Sequence, residues 1–299
     1  MPLSTKTINR IRVKCPQFGG KKEKPFKGKD MFSNGYSNIS MIASTKSGKT
    51  VCILNILKQC IDRRTTVYLF CPTHSLDKTY KLIKQWLKSK RITYKVYDHF
   101  IDDETGDNHI DDILHEIEQA NYDTDEETAE VVQNHTPESI QDKINREFDE
   151  ILGIQRKYQT IEPPQEKRRK KHKKKYKTRV PKYLFIFDDL AEDMRHKAIS
   201  KLFKKSRHYE AMCISSTQWL NDYKPASLRQ LSYLLLFRGQ SSKKLEEIWK
   251  KMRPPIDLER FKEIYYLATK RKYSFMYYDV FENQFRRNFD TLVLPSVQS

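Results

Sequence analysis

The chain has 299 residues, 37% of them hydrophobic and 32% charged, which is enough to bury a sizeable core in one large domain or two small ones. Fifty-seven Lys and Arg against 39 Asp and Glu leave a formal charge of +18, which points to a polyanionic partner: DNA, RNA or an anionic membrane surface. No stretch approaches the ~20 apolar residues of a membrane span, Met1–Lys14 lacks the apolar segment of a secretory signal, and five scattered cysteines without a CxxC pair argue against a disulfide framework or zinc ribbon and fit a reducing compartment.

Residues 1–35 read as a basic N-terminal arm. The first predicted element is the apolar strand Asn38–Ala43 (NISMIA). It runs into Ala43-Ser44-Thr45-Lys46-Ser47-Gly48-Lys49-Thr50, a phosphate-loop pattern with Ala43 where the pattern has its first Gly. Such a turn aims consecutive backbone N–H groups at a phosphate chain, and the helix that follows adds positive potential. Gly48 allows close backbone approach, Lys49 supplies a point charge for the outer phosphates, and the Thr50 hydroxyl can ligate Mg²⁺. A helix is expected over Lys49–Ile61, a strand over Thr66–Cys71, a helix over Leu76–Lys90 and a strand over Ile92–Tyr97. Cys71-Pro72-Thr73-His74 reads as a turn after a buried cysteine.

Charge then segregates. Asp102–Glu150 holds 18 acidic and 2 basic residues, a balance of −16, so the other 250 residues carry +34. Lys167–Lys182 follows with 11 Lys or Arg in 16 positions. Like charges this dense repel, so residues 102–177 are expected to be a charged insertion, an acidic helical part and then a basic linker. Apolar spacing predicts helices at Ile110–Ala120 and Pro137–Tyr158, the second ended by Pro163-Pro164.

Beyond the insertion, Tyr183–Asp188 is an apolar strand ending in Asp188-Asp189. That ending places both carboxylates at the C-terminal edge of a sheet, where α/β sites lie. Asp188 would then hold the Mg²⁺ shell and Asp189 would polarise the attacking water. A helix over Met194–His208, a strand over Ala211–Ser216, a strand over Tyr233–Phe237, a helix over Lys243–Met252 and a strand over Ser274–Val280 complete the pattern. Gln218, just past the fifth strand, can touch both a γ-phosphate and a water. Among the aromatics, Tyr265-Tyr266, Tyr273, Phe275, Tyr277 and Tyr278 could stack on bases, but alternation in a strand points to core packing.

Strands alternating with helices predict an α/β fold: a mostly parallel sheet flanked by helices, built from residues 36–101 and 178–299. At least two further strands and the insertion separate Lys49 from Asp188. This suits phosphate-loop proteins with an extra strand between the two motifs and a second acid as base. It disfavours small-molecule kinases and GTPases, and no N-K-x-D motif is present. Nor is there an H-E-x-x-H or G-x-S-x-G motif.

MIASTKSGKT, YLFIFDDL, RHYEAMCISSTQWLND and LRQLSYLLLFRG together resemble the genome-packaging ATPases of large DNA viruses, the poxvirus-type members of the FtsK–HerA superfamily of DNA translocases. The resemblance runs from about Ser33 to Phe237 and implies a RecA/FtsK-like P-loop NTPase using ATP and Mg²⁺. By position it implies Lys49 and Thr50 for phosphate and metal, Asp188 for the metal, Asp189 as base, Gln218 as sensor and Arg229 as a trans-acting arginine finger, with Arg238 in reserve. It further implies double-stranded DNA as partner, a ring-shaped homo-oligomer, a capsid or portal-vertex protein, and a site of action in host cytoplasm or virion. Ala43 and the long charged insertion depart from the family pattern, and no motif assigns the insertion a role. Two alternatives stay open: another DNA helicase or remodelling ATPase, which would share every site residue, and a non-catalytic nucleotide-sensing DNA-binding protein. The basic run Lys167–Lys182 reads as a DNA contact, a nuclear-import patch or a linker neutralised by the acidic stretch before it.

Overall fold

Period-two alternation in the central strands sorts their side chains into two apolar layers, one on each face of a single sheet. A computed structural model describes residues 24–101, 106, 108–133 and 178–293. Its nine strands are β1 (Asn38–Ile42), β2 (Thr66–Phe70), β3 (Thr93–Tyr97), β4 (Tyr183–Asp188), β5 (Ala211–Thr217), β6 (Tyr233–Phe237), β7 (Phe275–Asp279), β8 (Gln284–Arg287) and β9 (Thr291–Val293). They lie in the order β3-β2-β4-β5-β1-β6-β7-β8-β9. The first six are parallel, and β7 to β9 add an antiparallel extension beyond β6.

The helices are α1 (Lys49–Cys60), α2 (Lys78–Ser89), α3 (His109–Gln133), α4 (Lys197–Lys205), α5 (Pro225–Leu228), α6 (Ser242–Met252) and α7 (Leu258–Ala268). Ile53, Ile56 and Leu57 of α1 and Tyr80, Ile83 and Leu87 of α2 meet Ile39, Met41, Leu69, Ile186 and Ile214 on one face. On the other face α3, α4, α6 and α7 cover Tyr68, Phe70, Phe185, Phe187, Leu234 and Leu236. Both faces of β1, β2, β4, β5 and β6 are covered, which is why they read as largely apolar runs, while the edge strand β3 (TYKVY) stays partly exposed.

All seven expected strands are present, with ends shifted by at most one residue. The helix expected over Met194–His208 is shorter. His196 adopts an extended backbone (φ −66°, ψ 150°) after a 3₁₀ turn and caps α4 by accepting from the Ala198 N–H. β8, β9, α5 and α7 were not expected.

Both charged segments are partly built into the core. The acidic part opens as the helix expected at Ile110–Ala120, with Ile110, Ile113, Leu114 and Ile117 of α3 buried. The basic arm joins the core as well. Phe32 is buried, Phe26 pairs with Arg179, and the Arg179 guanidinium lies 4.2 Å from the Phe26 ring centre. The apolar spacing that predicts the helix at Ile110–Ala120 is what anchors α3, since a few apolar positions at helical spacing suffice to hold a charged segment. The expected helix at Pro137–Tyr158, its Pro163-Pro164 stop and the basic run through residue 177 lie outside the described residues.

Candidate functional site

Residues 43–48 form the loop between β1 and α1 at the C-terminal edge of the sheet, and Lys49 and Thr50 open α1. The Ala43 N–H bonds the Thr217 carbonyl at the end of β5, which ties the loop to the neighbouring strand. Lys46 (φ 63°) and Gly48 (φ 96°) are left-handed and turn the chain sharply into α1. Gly48 is the N-cap of α1, with no side-chain cap and no acid in the first turn. α2, α4, α6 and α7 are instead capped by Asp77, His196, Ser241 and Asp257. The first N–H groups of α1 are thus left to an anion.

The strand order brings the acids to this loop. β5 lies between β1 and β4, the extra strand expected between the two motifs. Lys49 Nζ lies 3.2 Å from Asp188 Oδ1 and also contacts Asp189 Oδ1. Asp188 is 1% exposed and Asp189 42%, so one carboxylate is enclosed and the other meets solvent. Asp189 is left-handed (φ 58°), the turn that presents it to Lys49 at the end of β4. Burial pushes the Lys49 pKa down, but the two carboxylates outweigh it and the net shift is upward, so the ammonium stays charged.

Tyr80 of α2 was not anticipated as part of the site. Its hydroxyl donates to Asp188 Oδ2 at 2.6 Å, with both side chains buried. Burial first, and then the Asp188 charge, raise the Tyr80 pKa well above its usual value, so it remains the donor. Burial also raises the Cys71 thiol, which Asp188 and Asp189 reinforce, so Cys71 is a packed neighbour and not a nucleophile. No local motif marks Tyr80, since its link to Asp188 spans 108 residues of sequence.

Among the described residues, Ser47 Oγ, Ser216 Oγ and Gln240 Oε1 are buried at this edge without a hydrogen-bond partner, and Asp188 Oδ1 has the Lys49 ammonium 3.2 Å away. Buried polar atoms without partners are uncommon and call for an explanation, such as a bound ion, ligand or water. Asp188 Oδ1 suits a Mg²⁺ shell. Among the described residues no three His, Cys, Asp or Glu converge as a metal site. A cation here would therefore draw on Asp188, the Thr50 hydroxyl, phosphate oxygens and water.

The other expected residues divide. Gln218 is exposed one residue past β5, between the two motifs. Arg238 is exposed just past β6, on the edge that carries the loop. Arg229 is exposed at the opposite edge. The next residue, Gln230, accepts from Asn38 at the start of β1. Four residues of strand, about 13 Å at ~3.3 Å each, separate that end from the loop.

The thiols of Cys52, Cys60, Cys71 and Cys213 are buried and unpaired. Among the described residues no helix is long and apolar enough to cross a membrane.

No family model matches the chain, and no curated protein matches it. Solved structures similar to it include the genome packaging NTPase B204 from Sulfolobus turreted icosahedral virus 2 in complex with AMP, at 15% identity and a TM-score of 0.47, over 88% of this chain and 100% of that one. The same protein with ATP-gammaS aligns at 17% identity and a TM-score of 0.46, over 88% and 100%. The DNA-packaging ATPase B204 from Sulfolobus turreted icosahedral virus aligns at 16% identity and a TM-score of 0.44, over 85% and 97%.

Proposed function

We propose that the chain is a P-loop NTPase of the RecA/FtsK-like kind, an ATP-driven translocase of double-stranded DNA that packages a viral genome into its capsid. One observation carries the hydrolytic part: Lys49, on an uncapped helix N-terminus, bridges an enclosed carboxylate and a solvent-facing one. The translocase part rests on the motif resemblance and on the charge of +18.

The chemistry follows from an exchange of partners. Residues 44–50 offer backbone N–H groups to the phosphates of ATP. Lys49, drawn to the outer phosphates, gives up Asp188 and Asp189. Asp188 Oδ1 is then available to a Mg²⁺ shell, with Thr50 on the other side, while Tyr80 holds Oδ2 in place. Bound Mg²⁺ would neutralise charge building on the phosphate oxygens. Asp189, now solvent-facing and unpaired, orients a water and takes its proton as the water attacks the γ-phosphorus and ADP leaves. Gln218 senses the γ-phosphate from the tip of β5. Arg229, remote from its own loop, serves as the finger for a neighbouring subunit in a ring, and Arg238 is the reserve. A basic ring lumen grips the DNA backbone without reading sequence. A capsid or portal-vertex protein is the assembly partner, in host cytoplasm or virion.

Steady-state ATP hydrolysis with and without linear double-stranded DNA tests this reading, beside a strand-separation assay. DNA-stimulated hydrolysis without strand separation is expected. Strand separation would replace the packaging reading with a helicase. Nucleotide binding without hydrolysis in either condition would leave a nucleotide-sensing DNA-binding protein.

A further inference from the structure

The cleft over the phosphate loop continues well past the place for a triphosphate. It encloses about 1490 Å³ and runs from Thr45–Thr50 along α1 to the β7–β9 extension. On the α1 side its wall is Val51, Asn55 and Gln59, one exposed helical stripe at four-residue spacing. Val51 is 53% exposed there, and Asn55 and Gln59 are exposed beside it. Across the cleft stands Tyr273, 57% exposed.

Tyr273 is held in an unusual way for an exposed aromatic. It lies in the turn between α7 and β7 with φ 64°, a left-handed conformation that costs a non-glycine residue energy. The turn lays its ring against the phosphate loop, so that a Cβ placed on Gly48 would sit 3.3 Å from Tyr273 Cδ1. Behind it, Phe275 packs edge-on against Phe289 at 5.0 Å, and Asn288 accepts from the Phe275 N–H at 3.2 Å. An aromatic ring thus lies beside the last residues of the loop, in the same cleft as Val51 and the exposed Asn55 and Gln59 amides.

We infer that this stretch of the cleft is the nucleobase site, with Tyr273 as the stacking platform and Val51 as the facing wall, and that it takes a purine. The inference rests on the phosphate-loop reading, because the loop fixes where the other end of the nucleotide lies. A two-ring base covers more of the tyrosine face and of Val51 than a pyrimidine does. The Asn55 and Gln59 amides offer both donors and acceptors to a base edge.

Calorimetric titration of the full chain with a non-hydrolysable ATP analogue, the matching UTP analogue and inorganic tripolyphosphate tests this. The wild type should bind the ATP analogue more tightly than either of the others. Tyr273→Ala should weaken the ATP analogue roughly 5- to 150-fold, the range for loss of one base–aromatic stack, and leave tripolyphosphate unchanged. Tyr273→Phe should restore wild-type affinity, because the ring and not the hydroxyl does the stacking. Equal loss for the ATP analogue and tripolyphosphate, or no loss for either, would overturn the base site while leaving the phosphate loop intact. A wild type that binds none of the three would overturn the phosphate-loop reading and this inference together.

Discussion

The carboxylate of Asp188 uses its two oxygens differently, Oδ2 for the Tyr80 hydroxyl and Oδ1 towards Lys49. A hydrogen bond to a charged, buried acceptor is worth about 1.5–3 kcal/mol. Tyr80→Phe should therefore lower stability by about that amount in urea denaturation. It should also raise the Mg²⁺ concentration needed for half-maximal hydrolysis, because the carboxylate loses the partner that fixes its rotamer. An unchanged Mg²⁺ requirement would reduce Tyr80 to a packing role. Lys49, Asp188 and Asp189, which the structure brings together, could be picked out in the sequence because each sits in a short contiguous pattern beside an apolar run. Tyr80 could not, because it reaches Asp188 through the packing of α2 on the sheet. Tyr273 was singled out only as one of several aromatics. The structure separates it from buried Tyr277 and Tyr278 by leaving its ring exposed against Gly48.

At the scale of elements, β1, β2, β4, β5 and β6 were readable because burial on both faces makes them largely apolar, and the edge strand β3 through its β-branched and aromatic residues. β8 reads QFRR and β9 is three residues long, so neither carries enough alternation to register. α3 is acidic in composition but carries the apolar spacing read at Ile110–Ala120, and Leu114 on that stripe is fully buried. Leu114→Ala should cost about 2–5 kcal/mol, as other buried leucines do, while a solvated helix would tolerate the change. α3 is also pinned to α4 by polar contacts. Glu118 accepts from Lys205 at 2.8 Å and from Tyr209. The Lys205 bond first, and then Tyr209, hold the Glu118 carboxyl down at about 2 against an ordinary 4.5. The folded state thus binds this proton less readily than the unfolded chain. The carboxylate's stabilising contribution is complete above about pH 4.5 and disappears as pH falls towards 2. Thermal melts of wild type and Glu118→Gln should differ at pH 6 and converge towards pH 2. A gap that stayed constant across that range would mean that Glu118 contributes no charge-dependent stability.

For the whole molecule, the sheet places the loop, Asp188, Asp189, Gln218 and Arg238 on one edge and Arg229 on the other. A chain so arranged lacks an Arg229 at its own site, which fits a finger supplied by a neighbour. Lys49→Ala and Arg229→Ala proteins should each be inactive alone. Mixed, they should regain part of the hydrolysis, since an Arg229→Ala subunit keeps its own loop and can borrow the arginine of a Lys49→Ala neighbour. No recovery on mixing would remove Arg229 from that role and turn attention to Arg238. This arrangement was beyond reach of the sequence, because the edge on which a residue lies depends on strand direction and order. The central claim is that Lys49 and the Asp188–Asp189 pair form a hydrolytic centre, and Asp189→Asn tests it most directly. The substitution keeps size and removes the carboxylate proposed as the base. Measured together, ATP binding should persist and single-turnover hydrolysis should fall roughly 10²- to 10⁴-fold, the usual contribution of a general base. Hydrolysis at the wild-type rate by a folded Asp189→Asn protein would contradict the account.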